Sequence, residues 1–170
     1  MKFLHEKMPH LEELYIRRLR SLLSAEELVV RGLPRMAETA TDAELKQAFR
    51  MHVEETETQA SRLRTILGRL TGKSDDLEKN KVVEALIDDA EDMIKEADHE
   101  AVRDVALIAA AQCLEHYEIA AYGTVRHFAR VLGHDEDAAL LDQTLQEEGR
   151  TDHRLTSIAE RVNPAARKAA

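Results

Sequence analysis

Cysteine, proline, glycine and aromatic residues are all scarce in this 170-residue chain. The single cysteine, Cys113, excludes an intrachain disulfide and is typical of a protein in a reducing compartment. Three prolines, six glycines and 4% aromatic residues, against 34% charged residues, favour an all-helical protein. The first residues lack the apolar run of a signal peptide, and no run approaches the roughly 18 residues that a membrane span needs. We therefore expect a cytoplasmic protein without a membrane partner.

A block of basic residues is also lacking. The formal net charge is -9 at pH 7, and this acidic balance opposes binding to nucleic acid. The chain is long enough to bury a substantial core. We expect a single domain over residues 1–170, with flexible ends at residues 1–8 and 164–170.

Apolar residues recur at helical spacing along five segments of the chain. Pro9 suits the first turn of the first helix, because the missing N–H costs nothing there. Gly32 and Pro34 interrupt the pattern near its end and predict a kink or an early stop. Thr41 and Glu44 form a capping-box signature that opens the second helix.

The connections between these helices predict their arrangement. Gly72 and Gly133 are typical helix ends, and Asp98 is a candidate cap for the long helix that follows it. Asp135 opens the last helix, which we expect to end at Asn163–Pro164. Short connections favour antiparallel neighbours, whereas the long stretch after Gly72 permits a crossover. The sequence predicts an all-α bundle of four long helices with an extra helix in the crossover between helices 2 and 3.

Polar residues interrupt the apolar stripes of all four long helices at a similar height. Glu118 lies near the centre of one stripe, and Glu148 is equally central in the last helix. Carboxylates are almost never fully buried unless they are paired or bound to a metal. The candidate metal ligands are Glu26, His52, Glu55, Glu115, Glu118, Glu148 and Asp152.

Six carboxylates and one imidazole in one core require opposite charges nearby, because a buried ion costs several kcal/mol even after relaxation. Two metal ions would supply the positive charge. An oxygen-rich set with a histidine suits iron or manganese better than structural zinc, and we expect iron first. Such a centre could oxidise ferrous iron or consume oxygen or peroxide.

Several of these residues also have a structural interpretation. Glu26, Glu55 and Asp152 could be edge residues whose carboxylates reach solvent. His52 is as easily a buried neutral histidine that is hydrogen-bonded to Thr56. The alternative function is a metal-poor helical scaffold in which the carboxylates face a wet groove and the protein binds a partner.

Two choices of ligand stay open. On the second helix, Glu54 and Glu57 are the alternative to His52 and Glu55, although helical phasing turns Glu54 away from the core. On the last helix, Thr151 and Asp152 both follow Glu148 at a spacing of about one turn. A homodimer is expected from apolar residues on outer faces, namely Met51, Cys113 and Val131.

Five segments resemble the YciE/YciF-type ferritin-like proteins. They are LLSAEELV, HVEETETQ, VRDVALIAAAQCLEHYEIAAYGT, LGHDEDAALL and LQEEGRTDHRL, and the resemblance covers roughly residues 10–162. It implies a rubrerythrin-like four-helix bundle, a dinuclear metal centre and an association with bacterial stress responses. The chain departs from the usual ferritin-like pattern, since Glu148 is not followed by a histidine three residues later.

Overall fold

Five α-helices make up the computed structural model, which describes residues 8–167. They are α1 (Leu11–Thr39), α2 (Ala43–Thr71), α3 (Lys81–Glu96), α4 (Glu100–Leu132) and α5 (Asp135–Ala166), and the described chain contains no strand. α1 packs along α2 and α4 along α5, while contacts of α1 with α4 and of α2 with α5 close the bundle. α3 lies in the crossover and packs on α4 and α1. The predicted four-helix bundle with an extra crossover helix is confirmed.

Two hydrophobic clusters occupy opposite ends of the bundle. Both draw residues from all four long helices, and Val83 of α3 joins one of them. Along α4, the first cluster ends at Leu114 and the second begins at Ala121. A polar layer therefore lies between two dry regions, where a low dielectric strengthens every electrostatic interaction.

Glycine ends two of the helices, as predicted. Gly72 and Gly133 have φ angles of 71° and 79°, in the left-handed region that favours glycine. α1 begins only after Pro9, with His10 at its N-cap. Of the two outcomes predicted at Gly32 and Pro34, a kink or an early stop, the early stop is wrong, since α1 continues to Thr39. Pro34 lies inside the helix with its side chain exposed.

The last helix also exceeds its predicted end. α5 continues through Asn163–Pro164 to Ala166 and so includes part of the segment 164–170 that we expected to be flexible. Residues 1–7 and 168–170, which make up the rest of the expected flexible ends, lie outside the described residues.

The N-terminus of α2 is held by two aspartates rather than by the predicted capping box. Asp42 is the N-cap and accepts hydrogen bonds from the backbone N–H groups of Glu44 and Leu45, at 3.1 and 3.0 Å. Thr41 instead contacts the buried Asp104 of α4, which accepts its backbone N–H at 2.8 Å and its hydroxyl at 2.6 Å. Asp104 also accepts the N–H of Asp42 at 2.8 Å. These contacts join the two helical hairpins.

Replacing Asp104 with alanine is expected to destabilise the protein by about 1 to 3 kcal/mol, because three donors lose a charged acceptor. Urea unfolding measures the change. Asp98→Ala is the control: the predicted cap of α4 is exposed, and His99 occupies the N-cap position instead. Equal losses in the two variants would contradict this account of Asp104.

Six large apolar side chains are exposed among the described residues. Within residues 8–167, no helix is long and apolar enough to cross a membrane. Met51 and Val131 are 41% and 61% exposed, but they lie on different helices, and Cys113 is a free, exposed thiol. Singly exposed apolar residues are ordinary on a protein surface. The homodimer stays a prediction.

Candidate metal centre

Side chains from α2, α4 and α5 meet in the polar layer. One potential ligand atom from each of His52, Glu115, Glu118 and Glu148 lies within 4.8 Å of the other three. All four side chains are buried. Glu115 and Glu118 are about one helical turn apart on α4 and therefore face the same way.

Glu26 brings a carboxylate from α1 into the same layer. It is completely buried, and the hydroxyl of the equally buried Tyr122 donates a hydrogen bond to its Oε1. The sequence did not reveal this contact, because the two residues are 96 positions apart. We refer to Glu26, His52, Glu115, Glu118 and Glu148 together as the central cluster.

Carboxylate oxygens of the central cluster lack hydrogen-bond partners in the described part of the chain. They are one oxygen each of Glu26, Glu115 and Glu118 and both oxygens of Glu148. An unsatisfied buried acceptor is costly, and a buried unpaired charge more so. Five such oxygens with an imidazole nitrogen form a donor set that fits iron or manganese. The buried group of His52, Glu115, Glu118 and Glu148 could therefore hold a metal ion.

His52 joins the cluster to a more exposed carboxylate. Its Nε2 lies 3.2 Å from Glu115 Oε1, and its Nδ1 lies 3.6 Å from Oε2 of Glu55, which is 42% exposed. Burial lowers the pKa of His52, but Glu115 and Glu55 outweigh burial and raise that pKa well above its usual value. His52 in turn lowers the pKa of Glu55. In the metal-free protein the histidine is thus held as a cation.

The carboxyl groups of the cluster are difficult to ionise together. Burial raises the pKa of Glu26 to about 7, although the hydrogen bond from Tyr122 opposes this change. Burial, followed by repulsion from Glu26, raises the pKa values of Glu118 and Glu148 well above the usual range. Without a bound cation the cluster therefore retains protons at neutral pH.

A nearby arginine is engaged by another carboxylate. Arg62 donates two hydrogen bonds to Glu147, at 2.5 and 2.8 Å, and one to Thr144 at 3.1 Å. Glu147 also accepts a hydrogen bond from the buried Gln59 at 3.2 Å. The positive charge of Arg62 is consequently directed at Glu147, which sequence reasoning did not single out.

Asp152 lies outside the group that gathers around His52. It accepts a hydrogen bond from Gln112 at 3.1 Å and lies 3.4 Å from the exposed His116. The alternative ligands Glu54 and Glu57 are both exposed on α2. The structure thus places four of the seven predicted ligands in one group, Glu26 and Glu55 beside it, and Asp152 apart.

This closed four-helix bundle has acidic residues and a histidine between its facing helices. It therefore belongs to the class of helical bundles whose cores can hold a ligand, cofactor or metal site. The chain matches the family model described as a domain of unknown function, DUF892, over residues 10–167 and belongs to that family. It is 39% identical over 162 residues to protein YciF of Escherichia coli K12, covering 95% of this chain and 96% of YciF. The resemblance to YciF-type proteins is confirmed.

Solved structures agree with this assignment. The crystal structure of the E. coli stress protein YciF has a TM-score of 0.87 at 38% identity and covers 92% of this chain and 99% of its own. YcfI of Rhodopseudomonas palustris, proposed to be a structural protein, has a TM-score of 0.87 at 34% identity and covers 91% and 98%. A protein of Xanthomonas campestris pv. campestris, at 22% identity, TM-score 0.75 and coverage of 94% and 98%, shows the fold alone.

Proposed function

We propose that this protein binds a dinuclear metal centre in the central cluster. The observation that supports the proposal is the set of buried carboxylate oxygens without hydrogen-bond partners. Every long helix contributes at least one of the ligands, which is the arrangement of ferritin-like dimetal bundles. Glu55 completes the set from the edge of the layer. Asp152 contacts Gln112 and the exposed His116 rather than a member of the central cluster, so we place it outside the ligands.

The charge of the cluster favours two ions over one. Glu26, Glu115, Glu118 and Glu148 together with Glu55 carry five negative charges when all are ionised, and two divalent cations supply four positive charges. A single divalent ion would leave buried carboxylates uncompensated, and their desolvation would raise their pKa values. Neutral His52 would then act as a nitrogen ligand rather than as a cation.

Iron is the metal we favour, with manganese as the alternative, because oxygen donors and one imidazole suit both ions. Bound iron would supply one-electron chemistry toward oxygen, peroxide or ferrous iron. The chain's own residues would exclude water, hold the ligands in place and, through the Tyr122 hydroxyl, orient Glu26. Kinship with the E. coli stress protein YciF supports a role of this kind in the stress response of a cytoplasmic protein.

Protein purified without chelator and then reconstituted anaerobically is expected to hold about two iron or manganese ions per chain. Elemental analysis by mass spectrometry measures the content, and reconstitution with equal concentrations of iron, manganese and zinc tests the preference. Dialysis against a chelator, followed by reloading, is the control for adventitious surface binding. A chain that takes up no ion after reloading would sink the proposal.

A scaffold is the second candidate function. The observation that favours it is that the relative YcfI, at 34% identity, has been proposed to be a structural protein. A scaffold would need no metal and would keep the cluster protonated. The loading experiment separates the two functions, since a scaffold binds no stoichiometric metal.

A further inference from the structure

A small cavity of about 30 Å³ is lined by all four long helices and lies beside the central cluster. His52, Glu115 and Glu55 border it on one side, and Met51 and Arg154 border it toward solvent. We propose that this cavity is a binding subsite for a small ligand with two or three non-hydrogen atoms, such as peroxide or azide. Met51 and Arg154 form the gate of this subsite. The inference rests on the proposed metal centre and adds the route by which a ligand reaches it.

The cavity has the volume and the polar groups that such a ligand needs. A single water-sized group requires about 10 to 15 Å³ by this measure, so about 30 Å³ admits a ligand of a few atoms and excludes a larger metabolite. Thr151 lines the cavity with a hydroxyl group and Arg154 with a guanidinium group. Both groups can donate hydrogen bonds to an anion, and neither residue is a proposed metal ligand. An occupant could therefore make the two or more polar contacts that make burial favourable.

The outer wall of the cavity is held by a weak contact. Nη1 of Arg154 donates to the sulfur of Met51 at 3.3 Å, and thioether sulfur is a poor acceptor. Met51 is 41% exposed, and both side chains are long and flexible. The positive charges of Arg150 and Arg154 also contribute to the lowered pKa of the nearby Glu55 carboxyl, after the larger effect of His52. A gate that opens at low cost and carries positive charge favours small anions over cations.

A second cavity provides the rival route. It is larger, about 240 Å³, and lies between α1 and α3 with a mainly apolar lining that includes Ile87. Leu33, Met36 and Leu114 line both cavities and so form the wall between them. The larger cavity borders no residue of the central cluster, whereas the smaller one borders His52 and Glu115 directly. The shorter path to the metal centre therefore starts at Met51.

Azide association with the iron-loaded protein tests the route, because ferric iron with bound azide absorbs in the visible range. Met51→Ala, which weakens the gate and leaves its positive charge in place, is expected to raise the association rate about fivefold, and Thr151→Phe, which fills the cavity, to lower it about tenfold. Ile87→Phe fills the rival cavity and is the matched control, with an unchanged rate. The iron content of each variant is measured first, so that lost metal is not mistaken for a closed gate.

A second measurement needs no metal. Exchange of the imidazole C2 proton of His52 in heavy water, followed by mass spectrometry, reports solvent access to the cavity in the metal-free protein. It should be faster in Met51→Ala and unchanged in Ile87→Phe. Unchanged azide and exchange rates in Met51→Ala, or slowing only in Ile87→Phe, would overturn the proposed route. Absence of metal from the wild-type protein would instead overturn the proposed function, and the exchange rates would still decide the route.

Discussion

Glu118→Ala and Glu148→Ala are each expected to abolish metal loading or to reduce it greatly. Both residues lie in the group around His52, and both have oxygens without a hydrogen-bond partner. Loss of either carboxylate removes one metal ligand and one negative charge that compensates the charge of the cations.

Glu27→Ala is the matched control for these two variants. Glu27 is the neighbour of Glu26 on α1, but it turns away from the cluster and pairs with Arg64 at 3.0 Å. Elemental analysis of the three variants and of the wild-type protein, all loaded under the same conditions, measures the metal content of each. Glu27→Ala should retain the wild-type content. Equal metal in all three variants would show that the ions bind elsewhere.

The fold was predictable because each long helix carries a long apolar stripe. Such a stripe must be buried against other stripes, and short connections permit only antiparallel neighbours. The stop expected at Pro34 failed for a physical reason: proline removes one hydrogen bond, and packing of the turns on either side through Leu33 and Ala37 keeps the helix intact. At this position the packing of the neighbouring residues outweighs the low helix propensity of proline.

Helix caps were predicted less well, because they depend on distant partners. Thr41 has the local signature of an N-cap, yet its hydroxyl bonds Asp104, which lies 63 positions away. Asp42 then takes the cap. A single sequence does not show which of two adjacent polar residues has a partner on another helix.

The centre of the candidate site was predictable from the stripes alone. Glu118 and Glu148 interrupt apolar faces where no solvent reaches, so burial followed from phasing. Residues at the edge of a face were harder to place. Asp152 has the same spacing from Glu148 as a ligand would have, but Gln112 competes for it across the α4–α5 interface. Glu115 also lies at the edge of its face, but it belongs to the central cluster, because α2 covers that edge and His52 contacts the Glu115 carboxylate.

The stability of the metal-free protein is expected to fall as the pH rises from about 5 to about 8, whereas that of the metal-loaded protein rises. In the metal-free form, the pKa of Glu26 changes from 4.5 when unfolded to about 7 when folded. The folded state then binds more protons, so its advantage is complete below pH 4.5 and is lost as the pH rises to about 7. This change is worth about 3 kcal/mol for Glu26 alone.

The other groups of the cluster act in the same direction. The pKa values of Glu118 and Glu148 are raised further, so their contribution continues to decline above the range of Glu26. His52 also has a raised pKa, and its stabilising charge is lost as the pH rises through the folded value. Glu55 has a lowered pKa and opposes them, but only as the pH falls through its own acidic range.

Bound metal reverses the sign, because ligation requires deprotonated carboxylates and a neutral imidazole. Ligation depresses the folded pKa values below the unfolded ones, so stability is lost as the pH falls. Asp42, whose pKa is lowered to about 2, titrates below this range and does not interfere. Thermal melts of both forms at fixed salt measure the two slopes, and groups outside the cluster cancel in the difference. Melting curves separated by a constant interval at every pH would show that the central cluster binds no metal.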